Sequence, residues 1–171
     1  MSLDNIAVVL VRTSHPGNIG AAARAMANMG LSDLRLIEPT GFPSEEATAR
    51  AAGANHVLEN AQICPTLDEA IADSEFVVGT TARSRSIAWP SSDPVSVMTE
   101  LVTQSRVGKV SLLFGREASG LTNEELDRCQ RHVRIPVNEE YPSLNLAAAV
   151  LILAMNCVVR MAQMKDCRMM E

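Results

Sequence analysis

Five short apolar runs, at residues 5–12, 34–37, 76–78, 110–114 and 133–135, recur along the chain, separated by segments of helical spacing. Each run is continuous rather than alternating, the first reading NIAVVLVR. That pattern predicts strands buried on both faces, because a strand with one wet face alternates apolar and polar residues. The intervening segments predict helices over 19–29, 44–52, 67–72, 94–104 and 122–130, and a last helix over 144–164 follows the final strand. Strand and helix in alternation imply an α/β fold, a mostly parallel sheet flanked by helices. With 171 residues, 47% of them apolar, and no internal repeat, a single domain spanning 1–171 with its core in 4–164 is expected.

Several helix ends are marked. Asn18 is placed to cap the first helix and Gly30 stands just past its end. Thr122 and Glu125 have the spacing of a capping box, and either Ser143 or Asn145 caps the last helix. The link WPSSDP at 89–94 is turn-rich, but strands continue beyond it, so it does not divide the chain. The last helix is apolar almost all round over 146–155, with Asn145, Asn156 and Arg160 as the interruptions. Such a helix is either wholly internal or covered by a second copy in a homodimer, with 144–164 in the interface.

Three exclusions narrow the setting. The apolar run 146–155 is shorter than the roughly 18–20 residues that cross a bilayer, so no membrane association is expected. The N-terminus lacks a basic segment leading into an apolar one, which removes the case for secretion. Cys64, Cys129, Cys157 and Cys167 make no C-x-x-C pair and His15, His56 and His132 are scattered, so no metal is expected, and reduced thiols fit a cytoplasmic protein.

The net charge of −5 opposes a polyanionic partner, but its sign is uneven. Residues 80–134 hold eight basic and six acidic side chains, while 1–79 hold four and ten. Arg83, Arg85, Arg106, Lys109, Arg116, Arg128, Arg131 and Arg134 are therefore either a local phosphate-facing patch or ordinary solvated charges.

Three strand-to-helix junctions carry Gly, Asn, Ser and charged residues, where open α/β sheets bind ligands. The first, SHPGNIGAAARA (14–25), is a turn opening into a helix, with Gly17 and Gly20 permitting close approach. On a helical wheel Ile19, Ala22, Ala23 and Met26 share one face, so Arg24 points away from the core with Asn28. The second, LFGREASGLTNEEL (113–126), is a glycine-bearing loop between a strand and a capped helix, either a ligand loop or a tight structural turn. It has no lysine of the P-loop kind, and no G-x-G-x-x-G follows the first strand, which weighs against triphosphate and dinucleotide sites. The third, IPVNEEYPSLNLAAAV (135–150), leaves the final strand through a proline-bounded loop and enters the last helix; the adjacent Glu139 and Glu140 point apart and do not make an acid/base pair.

Taken together, these motifs resemble the signatures of the SPOUT-class (SpoU or TrmH-like) RNA 2′-O-methyltransferases over residues 5–163. VGTTARSR at 78–85 and Trp89-Pro90 are similar to the TrmJ-type tRNA methyltransferases in particular. The resemblance implies a deep C-terminal trefoil knot, which the general rule against threaded chains would exclude. It implies an S-adenosylmethionine pocket lined by Thr80, Thr81, Ala82, Gly115, Ile135, Pro142, Ser143 and Leu144, with no metal. Asn18, Arg24, Glu117, Ser143 and Asn145 match polar positions around the transferred methyl and the ribose. The implied reaction is 2′-O-methylation of tRNA, at cytidine or uridine 32 of the anticodon loop. TrmJ-type proteins generally carry a C-terminal extension that grips tRNA; this chain stops at Glu171, so the extension is apparently absent.

By the same resemblance, Arg24 activates the ribose 2′-hydroxyl, one subunit's arginine reaching the other's cofactor. Removing a proton from a guanidinium at neutral pH costs roughly 7 kcal/mol, which favours positioning of the ribose or its phosphate and leaves general-base action open. Three other readings stand beside this one: an rRNA methyltransferase of the same class, a non-catalytic RNA-binding module, and a Rossmann-like oxidoreductase, the last opposed by the missing glycine motif.

Overall fold

The computed structural model describes residues 3–82 and 91–169. Strands β1 (Ile6–Val11), β2 (Asp33–Ile37), β3 (Gln62–Cys64), β4 (Ser74–Thr80), β5 (Ser91–Ser92), β6 (Lys109–Phe114) and β7 (Arg131–Val133) form one sheet in the order β3-β2-β1-β6-β4-β7-β5. All six strand pairings are parallel. Helices α1 (Pro16–Asn28), α2 (Glu45–Ala51), α3 (Asn55–Glu59), α4 (Leu67–Ala70), α5 (Pro94–Ser105), α6 (Asn123–Asp127) and α7 (Leu146–Met169) connect and cover it. The five predicted strands are present, each within two residues of the expected ends. Both β3 and β5, and the five-residue α3, escaped the sequence reading because segments this short carry no periodicity.

The pleat divides each strand's side chains between two cores. Val8, Leu34, Leu112 and Val78 lie in register and face the layer of α1, α2, α3, α5 and α7. Val9, Val11, Val77 and Leu113 face the other way, onto Ala70 of α4 and Leu126 of α6. Every residue of β1 is buried, which is why its run is continuous. Each fully buried large apolar side chain, such as Leu10, Leu112 or Phe114, contributes about 1.5–3 kcal/mol relative to exposure.

The first layer closes tightly at α1 and α2. A Cβ on Gly20 would stand 2.0 Å from the Ala47 carbonyl oxygen, so the close approach this glycine permits is between two helix backbones, not toward a ligand. Gly30 follows α1 at φ +75, as expected of a residue ending a helix. The first helix is not capped by Asn18, which lies inside α1; His15 occupies the cap position with no side-chain bond, and Pro16 opens the helix. The capping box is present, with Thr122 N–H donating to Glu125 at 2.7 Å and Glu125 N–H to Thr122 Oγ1 at 3.2 Å.

Helix α7 runs 24 residues, longer than expected, and its stretch Leu146–Cys167 has the length and hydropathy to cross a bilayer. Val150, Leu153, Ala154, Cys157 and Met161 are instead buried in the main core, between α1 and α5. Its other side leaves Met155 and Val159 exposed, with Ala148 and Leu151 half-buried on the same stripe. At the amino edge of the sheet, Arg35, only 4% exposed, is held by Asp33 and Asp73, and Lys109 Nζ lies 2.7 Å from Asp33. Burial pushes the Asp33 carboxyl up, but the bonds that Arg35 and Lys109 donate outweigh it, and those from Arg35 lower Asp73, so both lie below the usual aspartate value.

Candidate functional site

The three adjacent strands β6, β4 and β7 deliver their carboxyl ends to one cavity of about 360 Å³. Thr80, Thr81 and Ala82 form one wall as β4 ends. Thr80 Oγ1 donates to the Leu113 carbonyl at 2.9 Å, and Thr81 N–H to the Val133 carbonyl at 2.9 Å, tying this wall to β6 and β7. The loop from Gly115 to Leu121 forms the second wall. It folds on itself: Gly120 N–H donates to the Arg116 carbonyl at 2.8 Å and Arg116 N–H to the Gly120 carbonyl at 3.3 Å. A Cβ on Gly115 would lie 2.1 Å from the carbonyl carbon of Gly120, and Gly120 itself has φ +71. The loop is thus both a tight turn and a pocket wall, the two readings the sequence left open.

The third wall is Ile135, Val137 and the run Pro142, Ser143 and Leu144, closed below by Leu146 and Ala149 of α7. All eight residues expected to line a cofactor pocket line this one, together with Glu117. Asn145 is not on the wall. Its Oδ1 accepts from the N–H groups of Ala147 at 2.9 Å and Ala148 at 3.3 Å, so Asn145 caps α7 and Ser143 turns to the cavity.

At the cavity's edge, two distant segments meet on Glu117. Arg12, at φ +51 and paired with Glu38, turns the chain out of β1 toward Ser14. Ser14 donates to the Glu117 carboxylate from its backbone N–H at 3.2 Å and from its hydroxyl at 3.0 Å, and Asn18 Nδ2 adds a bond at 3.1 Å. The anion held ahead of α1 is therefore the chain's own. Burial pushes the Glu117 carboxyl up, but the bonds from Asn18 and Ser14 together outweigh it and leave the group below the ordinary glutamate value. Ser14's part was not legible in the sequence, since its partner lies 103 residues away.

Arg24 is exposed on α1, on the side opposite buried Ile19, Ala22, Ala23 and Met26, as the wheel required. Among the described residues it makes no ion pair or hydrogen bond, and it is not part of the cavity wall of its own chain. The basic block gives a different result from the patch reading. Lys109, Arg116, Arg128 and Arg131 are each paired with a carboxylate, Arg116 with Glu125 through two bonds of 3.0 and 3.1 Å. Arg106 has a partner as well, and Arg83 and Arg85, like Trp89 and Pro90, lie outside the described residues. Arg134 is the member left exposed without an ion pair among those described. Folding brings acidic side chains from 33, 68, 100 and 125 against these cations, which a block count along the sequence does not register.

Among the described residues no group of His, Cys, Asp and Glu is arranged to hold a metal. What the site offers is a loop-walled pocket at the carboxyl edge of a parallel sheet, apolar on one side and rich in backbone groups and one fixed carboxylate on the other. Crevices at the carboxyl edge of a parallel sheet are where α/β proteins hold small organic ligands. Residues 5–155 match the SpoU rRNA methylase family, and the chain belongs to that family.

Named relatives sharpen the comparison. The chain is 55% identical over 161 residues to the tRNA (cytidine/uridine/adenosine-2′-O-)-methyltransferase TrmJ of Pseudomonas aeruginosa, covering 94% of this chain and 62% of that protein. It is 52% identical to the tRNA (cytidine/uridine-2′-O-)-methyltransferase TrmJ of Klebsiella pneumoniae, covering 94% and 65%. The chain thus spans a little under two thirds of the length of these relatives. A probable methylase family protein from Haemophilus influenzae superposes with a TM-score of 0.90 at 41% identity, over 96% of this chain and 69% of that one. TrmJ from Z. mobilis superposes at 0.84 and 41% identity, over 90% and 69%. The expected parallel sheet flanked by helices is therefore the family's fold, and membership carries with it the C-terminal knot.

Proposed function

We propose that this chain is an S-adenosylmethionine-dependent ribose 2′-O-methyltransferase acting on tRNA, at cytidine or uridine 32. The observation that carries the reading is the convergence of three distant loops on one cavity, with all eight expected cofactor residues on its walls and Glu117 fixed at its edge. The cavity fits the cofactor's chemistry. Ile135, Val137 and Leu144 offer apolar surface to a purine, and the folded 115–120 loop offers backbone groups to its polar end. When bound, S-adenosylmethionine supplies an electrophilic methyl on a sulfonium. The acceptor of that methyl would be a ribose 2′-oxygen held by this chain's residues, with S-adenosylhomocysteine and a proton released.

The chain's own residues align the ribose. Ser143 and Glu117 both line the cavity and are the groups that would meet a ribose hydroxyl, the carboxylate accepting and the serine hydroxyl donating or accepting. Asn18 holds Glu117 rather than touching substrate, and Asn145 holds the end of α7 on which Ser143 depends. Arg24 of a second copy fixes the ribose or its phosphate, which requires a homodimer. The exposed stripe of α7 that includes Met155 and Val159 is the surface assigned to that contact. The names of the relatives span cytidine, uridine and adenosine, so the site takes the ribose with more than one base attached. Free thiols at the four cysteines fit a cytoplasmic enzyme.

Two measurements test the reading. Calorimetry should detect S-adenosylhomocysteine but not NAD; failure to bind the former removes it. Labelled S-adenosylmethionine with total tRNA, followed by mapping of the methylated nucleotide, should place the label on ribose 32. Label in rRNA alone would favour the rRNA substrate that the family's description carries, and label in neither an inert module.

A further inference from the structure

Tyr141 is the chain's single tyrosine and is 75% exposed. It immediately precedes Pro142, Ser143 and Leu144, which wall the cavity, so its Cα lies one peptide step, about 3.8 Å, from that wall. The loop that carries it is ordered by its own bonds. Asn138 Oδ1 accepts from Glu140 N–H at 3.0 Å, and the Asn138 carbonyl accepts from Tyr141 N–H at 3.0 Å. Among the described residues nothing bonds the phenol, and it is the one exposed six-membered ring: Phe76 and Phe114 are buried and Phe42 packs on the core, while the imidazoles of His15 and His56 are the other rings open to solvent.

We propose that Tyr141 is the platform on which the base of the target nucleotide stacks, holding it beside the cavity while its ribose enters. This rests on the reading of the chain as an RNA ribose methyltransferase. The reacting 2′-hydroxyl is the same in every nucleotide, and an enzyme that takes more than one base cannot hold it by edge-specific hydrogen bonds. A ring face meets any base, since every base has a π-face, and aromatic stacking of splayed-out bases is the usual way single-stranded RNA is gripped. A turn held by its own hydrogen bonds, carrying an exposed ring one residue from the pocket wall, meets that requirement. An ordinary exposed tyrosine on a mobile tip would not.

The test compares wild type, Tyr141→Ala and Tyr141→Trp on full-length tRNA, and on the same tRNA assembled with an abasic ribose at the nucleotide the wild type methylates. On intact tRNA, Tyr141→Ala should raise KM about tenfold or more while Tyr141→Trp stays within about threefold of wild type. On the abasic tRNA the alanine variant and wild type should coincide, and affinity for S-adenosylhomocysteine should be equal in all three proteins. Equal KM values on intact tRNA overturn the proposal. So does an alanine penalty that persists on the abasic substrate, which would make the ring a prop for the loop, or an equal loss of S-adenosylhomocysteine affinity, which would place it over the cofactor. A wild type that methylates no RNA removes both this proposal and the reading beneath it, whereas the other outcomes leave that reading standing.

Discussion

Replacing Gly115 by alanine isolates the pocket wall from the rest of the fold. The added Cβ would sit 2.1 Å from the Gly120 carbonyl carbon and 2.2 Å from the Leu121 nitrogen, against a normal contact of about 3.5–4.0 Å. Both obstacles are backbone, so the loop must open by roughly 1.5 Å. Opening it forfeits the two bonds between Arg116 and Gly120, at about 1 kcal/mol each, and adds overpacking of about 1–3 kcal/mol. If the closed loop is the one that binds, a penalty of about 3–5 kcal/mol lowers its population and weakens apparent cofactor affinity by about a hundredfold or more. Calorimetry with S-adenosylhomocysteine reads this directly. Gly20→Ala is the control: its Cβ meets the Ala47 carbonyl at 2.0 Å, where α1 crosses α2, so it should lower the melting temperature while folded protein keeps its affinity. A Gly115→Ala protein that binds S-adenosylhomocysteine like wild type would refute the argument that this loop is the wall.

Arg24→Ala should abolish methyl transfer and leave S-adenosylhomocysteine affinity unchanged; an unaltered turnover rate contradicts the positioning role. Asn18→Ala removes a bond that stabilises the Glu117 carboxylate, so the acid limb of the rate–pH profile should move to higher pH; a profile that stays put separates Glu117 from the reaction. Asp33 and Asp73 are more acidic folded than unfolded, so the stability they lend is complete above the unfolded aspartate range and is lost as pH falls through and below about 4, which urea titrations at pH 7, 5 and 3 should trace. Burial pushes the thiols of Cys129 and Cys157 up to about 12; native protein at pH 8 should therefore be alkylated first at exposed Cys167, as mass spectrometry would resolve.

The sheet's centre could be read from the chain because β1, β4 and β6 are buried on both faces, which forces continuous apolar runs. The edges could not: β3 has three residues, two of them exposed, and exists by pairing with β2 rather than by its own pattern. Strand β7 was expected at 133–135 and lies at Arg131–Val133, because Ile135 serves the cavity and buried His132 serves the sheet, its ring nitrogen bonded to the Leu126 carbonyl. Local rules placed Asn18 at a helix end. Its partner Glu117 is 99 residues away, beyond the reach of any rule that looks three or four residues along the chain. The cofactor positions were legible as a set only through resemblance, since no single residue among them differs from ordinary turn chemistry.

Strand β6 sits between β1 and β4, and Asn5 at the foot of β1 bonds to Ser105, 100 residues later. The middle of the sheet is therefore the last of its three central strands to leave the ribosome. Until residues 109–114 emerge, β1 and β4 have no common neighbour, and their inner edges stand unpaired. While the chain between Thr80 and Lys109 is made, two apolar strands wait for a third, the kind of non-local parallel pairing that slows folding.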